Sequence, residues 1–183
     1  MIKQLLAKTV RHLLKLKPQA SIYSAPLPQD EQAVELSYLG TAGFVLKTAE
    51  RTVVLDPYLS RIGLTELLRP LHTNTDLLKK YIPHADEVLI GHAHYDHILD
   101  APDLCKQTGA RLIGSKATCM VGRAAGLPES QLVETEGRED IACGTWTVRG
   151  LPSIHGKAIF GFFPIAGDIL SPPVWPPKLL DLK

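Results

Sequence analysis

The chain has 183 residues, 45% of them apolar and 21% charged, a length and balance that support a buried core and argue against disorder. Twenty Lys and Arg against nineteen Asp and Glu leave a net charge of +1, so nucleic-acid binding through bulk charge is not expected. No apolar run reaches the roughly 18 residues needed to cross a bilayer, and Cys105, Cys119 and Cys143 form no CxxC pair, so they read as buried thiols of a soluble, cytoplasmic protein.

Residues 1–29 carry Lys3, Lys8, Arg11, Lys15 and Lys17 and no acid, with Ile2, Leu5, Leu6, Val10, Leu13, Leu14 and Leu16 at helical spacing. Ile2–Leu16 is therefore expected to be a basic amphipathic helix. It either packs on its own domain or a second copy, making a homo-oligomer, or lies on a membrane surface through residues 1–17. An unbroken apolar centre and a small-residue cleavage site are missing, so it does not read as a signal peptide. Pro18, Pro26 and Pro28 make an extended linker into a domain spanning 30–183.

From Val34 the apolar period becomes two. Val34–Leu39, Phe44–Lys47 and Thr52–Leu55 read as three strands of an antiparallel meander, joined by Gly40–Gly43 and the polar turn Ala49–Arg51. Pro70–Tyr81 reads as a loop and a short helix capped by Asn74 or Thr75. Glu87–Ile90 is a buried strand, Ile98–Gln107 a helix stopped at Gly109, and Ala110–Ile113 a strand. Lys116–Ala125 is a helix ended by Gly126, followed by strands at Gln131–Glu134, Thr145–Arg149 and Ala158–Phe163. Helices intervening between strands after a meander indicate a layered α/β protein and not a doubly wound sheet.

The histidines carry the chemistry. His92, His94, Asp96 and His97 fall within six residues, straight after the Glu87–Ile90 strand. At a strand end turning into a helix all four can converge on one point. Imidazole and carboxylate suit zinc, iron or manganese, and adjacent ligands can serve two ions. The alternative is a hydrogen-bonded polar turn, which three His and one Asp in so short a run make a poor explanation.

His92-Ala-His-Tyr-Asp-His97, after Val88-Leu-Ile-Gly91, resembles the HxHxDH signature of the metallo-β-lactamase superfamily. Tyr38-Leu-Gly-Thr-Ala-Gly-Phe44 with Val53-Val-Leu-Asp56-Pro57 is similar to its ascorbate-phosphate lactonases and N-acyl-phosphatidylethanolamine phospholipase D-like hydrolases. The resemblance implies an αββα sandwich, of which this chain would hold the N-terminal half to two-thirds. It places His92, His94 and His155 on a first metal and Asp96 and His97 on a second, with zinc in up to two positions and manganese or iron as substitutes. Asp56 would orient a ligand from behind, and Asp96 would steer the nucleophile and shuttle its proton. Asp168, in Gly167-Asp168, is either the bridging carboxylate or a loop carboxylate; it follows His155 by only thirteen residues. The four prolines of Ser171–Pro177 rule out a central strand there, and no histidine follows His155. His12, His72 and His84 stand outside the motif; His84 reads as a surface-loop residue and His72 as one that could line the cleft.

By this resemblance the protein is a hydrolase in which metal-bound hydroxide attacks an ester, lactone or phosphodiester of a small-molecule or lipid-like substrate. Two other readings compete: a nuclease of the same superfamily, which the near-neutral charge disfavours, and a catalytically incomplete metal-binding or interaction module. An incomplete sandwich would also leave an apolar sheet face for another chain to cover.

Overall fold

A computed structural model describes residues 33–63, 65–66, 68–152 and 169–182. The expected N-terminal helix, the strand Ala158–Phe163, His12, His155 and Asp168 lie outside the described residues. Six strands form one mixed sheet in chain order: β1 (Glu35–Gly40), β2 (Gly43–Lys47), β3 (Thr52–Leu55), β4 (Glu87–Leu89), β5 (Arg111–Gly114) and β6 (Leu132–Glu134). The first three pair antiparallel and β3 to β6 pair parallel. Connection length explains the change, since tight turns join only antiparallel neighbours and parallel ones need a crossover. The crossovers hold helices α1 (Thr75–Tyr81), α2 (Tyr95–Ile98), α3 (Ala101–Thr108) and α4 (Lys116–Ala124).

All of these helices pack on one face of the sheet. Leu39, Val54, Val88 and Leu112, each fully buried, meet Leu78 and Ile82 of the α1 region, Leu104 and Cys105 of α3, and Val121 of α4. The helix ends follow local chemistry. The Asn74 side chain accepts from the Leu77 N–H at the start of α1, Ser115 does the same for Thr118 on α4, and Gly109 closes α3 at φ 78°. Cys105, Cys119 and Cys143 are free, buried thiols.

On the opposite face lies a hairpin of β7 (Asp140–Cys143) and β8 (Trp146–Arg149). Arg111 of β5 donates to the Ala142 carbonyl and to Glu87 of β4, and Arg51 also approaches Glu87, so a buried carboxylate between two guanidiniums ties hairpin to sheet. Away from the hairpin this face is open: Leu36 is 54% exposed. Among the described residues the architecture is therefore one helical layer, one sheet, and a hairpin on the sheet's other side.

The sequence reading differs from the structure in three places. Tyr95–Thr108 is two helices and not one beginning at Ile98, because Asp100 turns inward between them and Pro102 starts the second afresh. The strand Asp140–Cys143 escaped the pattern reading, its period being broken by the adjacent acids Glu139 and Asp140. Residues 169–182 form no strand, as their prolines require; they run back along the helical layer, burying Leu182, whose carbonyl accepts from the Tyr95 N–H at 2.9 Å.

Candidate metal centre

Strand β4 sits between β3 and β5, and the chain leaves it at Ile90, whose N–H is held by the Ile113 carbonyl at 3.0 Å. Next door β3 ends at Asp56, whose N–H bonds the Leu89 carbonyl and whose φ of 39° turns its side chain toward the loop beyond β4. Asp56 Oδ1 accepts from the Gly91 N–H at 2.7 Å. A side-chain carbon at position 91 would meet Asp56 Oδ2 at 3.1 Å, so the glycine lets the carboxylate close in.

That loop then delivers the motif. The His94 carbonyl accepts from the His97 and Ile98 N–H groups and opens α2, placing Asp96 and His97 in its first turns. One ligand atom each from His92, Asp96 and His97 lie within 4.8 Å of one another. The His92 and His97 rings stand 3.8 Å apart. His94 is buried beside them, its ring edge-on to His92 at 4.4 Å, but outside this trio. The described residues thus bring His92, Asp96 and His97 together, with His94 packed against His92.

His97 Nδ1 lies 2.9 Å from Asp56 Oδ2, although its N–H does not point along the contact. Its Nε2 faces Asp96 Oδ2 at 3.7 Å. Burial alone would lower the His97 pKa, but the Asp56 carboxylate against it, with Asp96 beyond, outweighs this and holds the imidazole above its ordinary value. Asp56 therefore occupies one nitrogen and leaves the other toward the trio, the arrangement of a carboxylate behind a ligating histidine.

Four residues that the motif did not single out complete this edge. Asp100, fully buried, accepts from the N–H groups of Leu59 and Ser60 at 2.6 and 2.8 Å and from the Ser60 hydroxyl at 2.5 Å, so it clamps the loop that follows Asp56. Its burial overcomes these bonds and pushes its carboxyl up to about 6. The buried Tyr58 ring meets the edge of the Tyr95 ring at 5.9 Å, and Arg61 lies over its face at 5.5 Å. Burial raises the pKa of both phenols. The signal for Asp100 was its spacing, one helical turn beyond His97; Tyr58, Tyr95 and Arg61 had none. His72 and His84 are exposed, His84 lying 3.4 Å from Asp86 Oδ2.

Residues 51–171 match the family profile of the beta-lactamase superfamily domain. Over 137 residues the chain is 32% identical to a UPF0173 metal-dependent hydrolase of Thermodesulfovibrio yellowstonii, covering 69% of this chain and 47% of the relative. It is 34% identical over 127 residues to a protein of the same name in Anaeromyxobacter dehalogenans, covering 67% of this chain and 43% of the relative. The chain spans about half the length of the curated relatives it matches. Among solved structures it is similar to Igni18, a metallo hydrolase of Ignicoccus hospitalis, with a TM-score of 0.44 and 24% identity over 60% of this chain and 42% of that one.

Proposed function

The chain belongs to the beta-lactamase superfamily, and on that premise we propose that it forms the metal-binding part of a metal-dependent hydrolase acting on an ester, lactone or phosphodiester. The observation that carries the reading is the trio His92, Asp96 and His97, with Asp56 set behind His97. Two imidazoles and a carboxylate within 4.8 Å fit a divalent cation such as zinc, manganese or iron. When bound, such an ion supplies a Lewis acid and lowers the pKa of a coordinated water toward neutrality.

The remaining work falls to the chain. Asp56 places its negative charge against His97 Nδ1, and Nε2 is left toward Asp96. Asp96 is more exposed than His97 and has a second oxygen to receive a proton from an attacking water. His94, buried at the start of α2, is a further ligand alongside His92. His155 and Asp168, outside the described residues, are the candidates to complete the set from the chain beyond β8. The names of the relatives specify metal dependence and no substrate, and a small molecule or lipid-like ester suits the reading better than nucleic acid, given the net charge of +1. Contact of residues 1–17 with a membrane surface would bring a lipid-like substrate to this edge.

Metal content measured by mass spectrometry on chain purified without chelators tests the proposal. At least one divalent ion per chain is expected, lost on His92→Ala or Asp96→Asn, together with hydrolysis of bis-p-nitrophenyl phosphate or a lactone panel. Full metal retention in both variants overturns the assignment.

A further inference from the structure

Three arginines among the described residues are partly withdrawn from solvent: Arg51, Arg61 and Arg111. Arg51 and Arg111 share the buried Glu87. Arg61 has no carboxylate within ion-pair distance among the described residues, and a cation withdrawn from water without a counter-charge is costly unless something else supplies one.

Its setting is built and not incidental. Nη2 donates to the Leu39 carbonyl at 2.9 Å, Nη1 donates to the Thr41 hydroxyl, and the plane lies over the Tyr58 ring. Nε is buried with no partner. Of the five N–H donors of a guanidinium, two are used and three remain. Gly40, in the turn after β1, has a φ of 89° that side chains rarely adopt, and the Arg61 guanidinium lies against it. Four described non-glycine residues have positive φ, and three of them are Thr41, Asp56 and Arg61, all in this patch. Strain of this kind persists only where the surroundings impose it, and it gathers at functional sites.

The patch adjoins the metal centre. Tyr58 packs against both the Arg61 guanidinium and the perpendicular ring of Tyr95, the residue next to Asp96. We propose that Arg61 is the oxyanion-binding residue of this edge, so that the substrate carries a carboxylate or phosphate group besides the bond that is cut. The planar fork of a guanidinium suits either group. The role in substrate binding rests on the hydrolase reading above; the oxyanion site itself does not.

The test is titration of the chelator-treated full chain with inorganic phosphate, and separately with acetate, followed by calorimetry in the wild type and the variants and by NMR of the arginine Nε–H signals in the wild type. One Nε–H resonance is expected to shift saturably, the stronger titrant naming the preferred oxyanion. Arg61→Gln is expected to abolish the response and Arg61→Lys to weaken binding at least tenfold, each with an unchanged thermal melt and unchanged zinc or manganese uptake. No saturable shift with either anion, or the same affinity in Arg61→Lys, overturns the proposal. Metal uptake without anion binding defeats Arg61 alone, whereas anion binding through Arg61 in a chain that takes up no metal defeats the hydrolase reading and leaves the oxyanion site standing.

Discussion

Asp100→Asn should flatten the acid side of the chain's stability profile. The Asp100 carboxyl is fully buried, and its pKa rises from 3.8 to about 6 because desolvation outweighs its hydrogen bonds. The folded state therefore holds this proton more tightly than the unfolded chain. Its contribution to stability is complete below pH 3.8 and is lost as the pH rises to about 6. Moving one carboxyl from 3.8 to about 6 corresponds to about 3 kcal/mol. The asparagine oxygen can still accept from the Leu59 and Ser60 N–H groups, while its amide faces a Ser60 hydroxyl that can turn to accept. The variant thus removes the titration and keeps the clamp. Urea denaturation from pH 4 to 7.5 on both proteins is the assay. The histidines titrate in both, so the difference between the two curves isolates Asp100. That difference should shift by about 2.5 kcal/mol against the wild type between pH 4 and 7, most of the full change. Parallel curves would refute the argument, since they would mean that Asp100 is as well solvated as a free carboxyl. Asp100→Ala should instead lower stability at every pH, as two N–H groups lose their acceptor at about 1–3 kcal/mol each.

Asp56→Asn keeps an acceptor for the Gly91 N–H but removes the charge behind His97, so metal affinity measured by competition with a chromophoric chelator should fall about 10–100-fold; unchanged affinity would separate Asp56 from the centre. Gly122→Ala on α4 would set a carbon 2.7 Å from Leu132 and 2.9 Å from Leu112, so despite its better helix propensity it should cost about 1–2 kcal/mol in denaturant unfolding. A raised melting temperature would show that α4 is not pressed against β5 and β6.

What could be read from the sequence was whatever depends on near neighbours. The strand Thr52–Leu55 forms as its composition indicates, and Asn74, Gly109 and Gly126 mark helix ends because capping is a local matter. The motif likewise announced itself, since a strand end feeding a helix concentrates neighbouring residues at one point. Groupings that depend on crossovers were hidden. Asp100 looked like one more helical residue, yet its partners Leu59 and Ser60 are 41 and 40 positions away. Helical spacing brings Asp96 and His97 around to His92, while the His94 carbonyl opens the helix and its ring stays against His92.

The loop after β3 shows why these hidden partners matter to the site. Asp56 anchors one end of it to Gly91 and His97, and Asp100 anchors Leu59 and Ser60 a few residues on. Both anchors are carboxylates whose acceptor atoms face backbone N–H groups, so the loop's course depends on its own Asp56, which reaches the motif segment, and on Asp100 from just beyond that segment. Between and just beyond these anchors stand Tyr58 and Arg61, the latter carrying one of the strained φ angles. A loop tied at only one end could relax that strain. Tied at both, it must present the guanidinium at a fixed distance from the histidines. Under the proposed function, that rigidity would hold one end of a substrate while the other is cut. Loosening the Asp100 anchor should therefore weaken the proposed oxyanion binding at Arg61 while leaving His92, Asp96 and His97 in place.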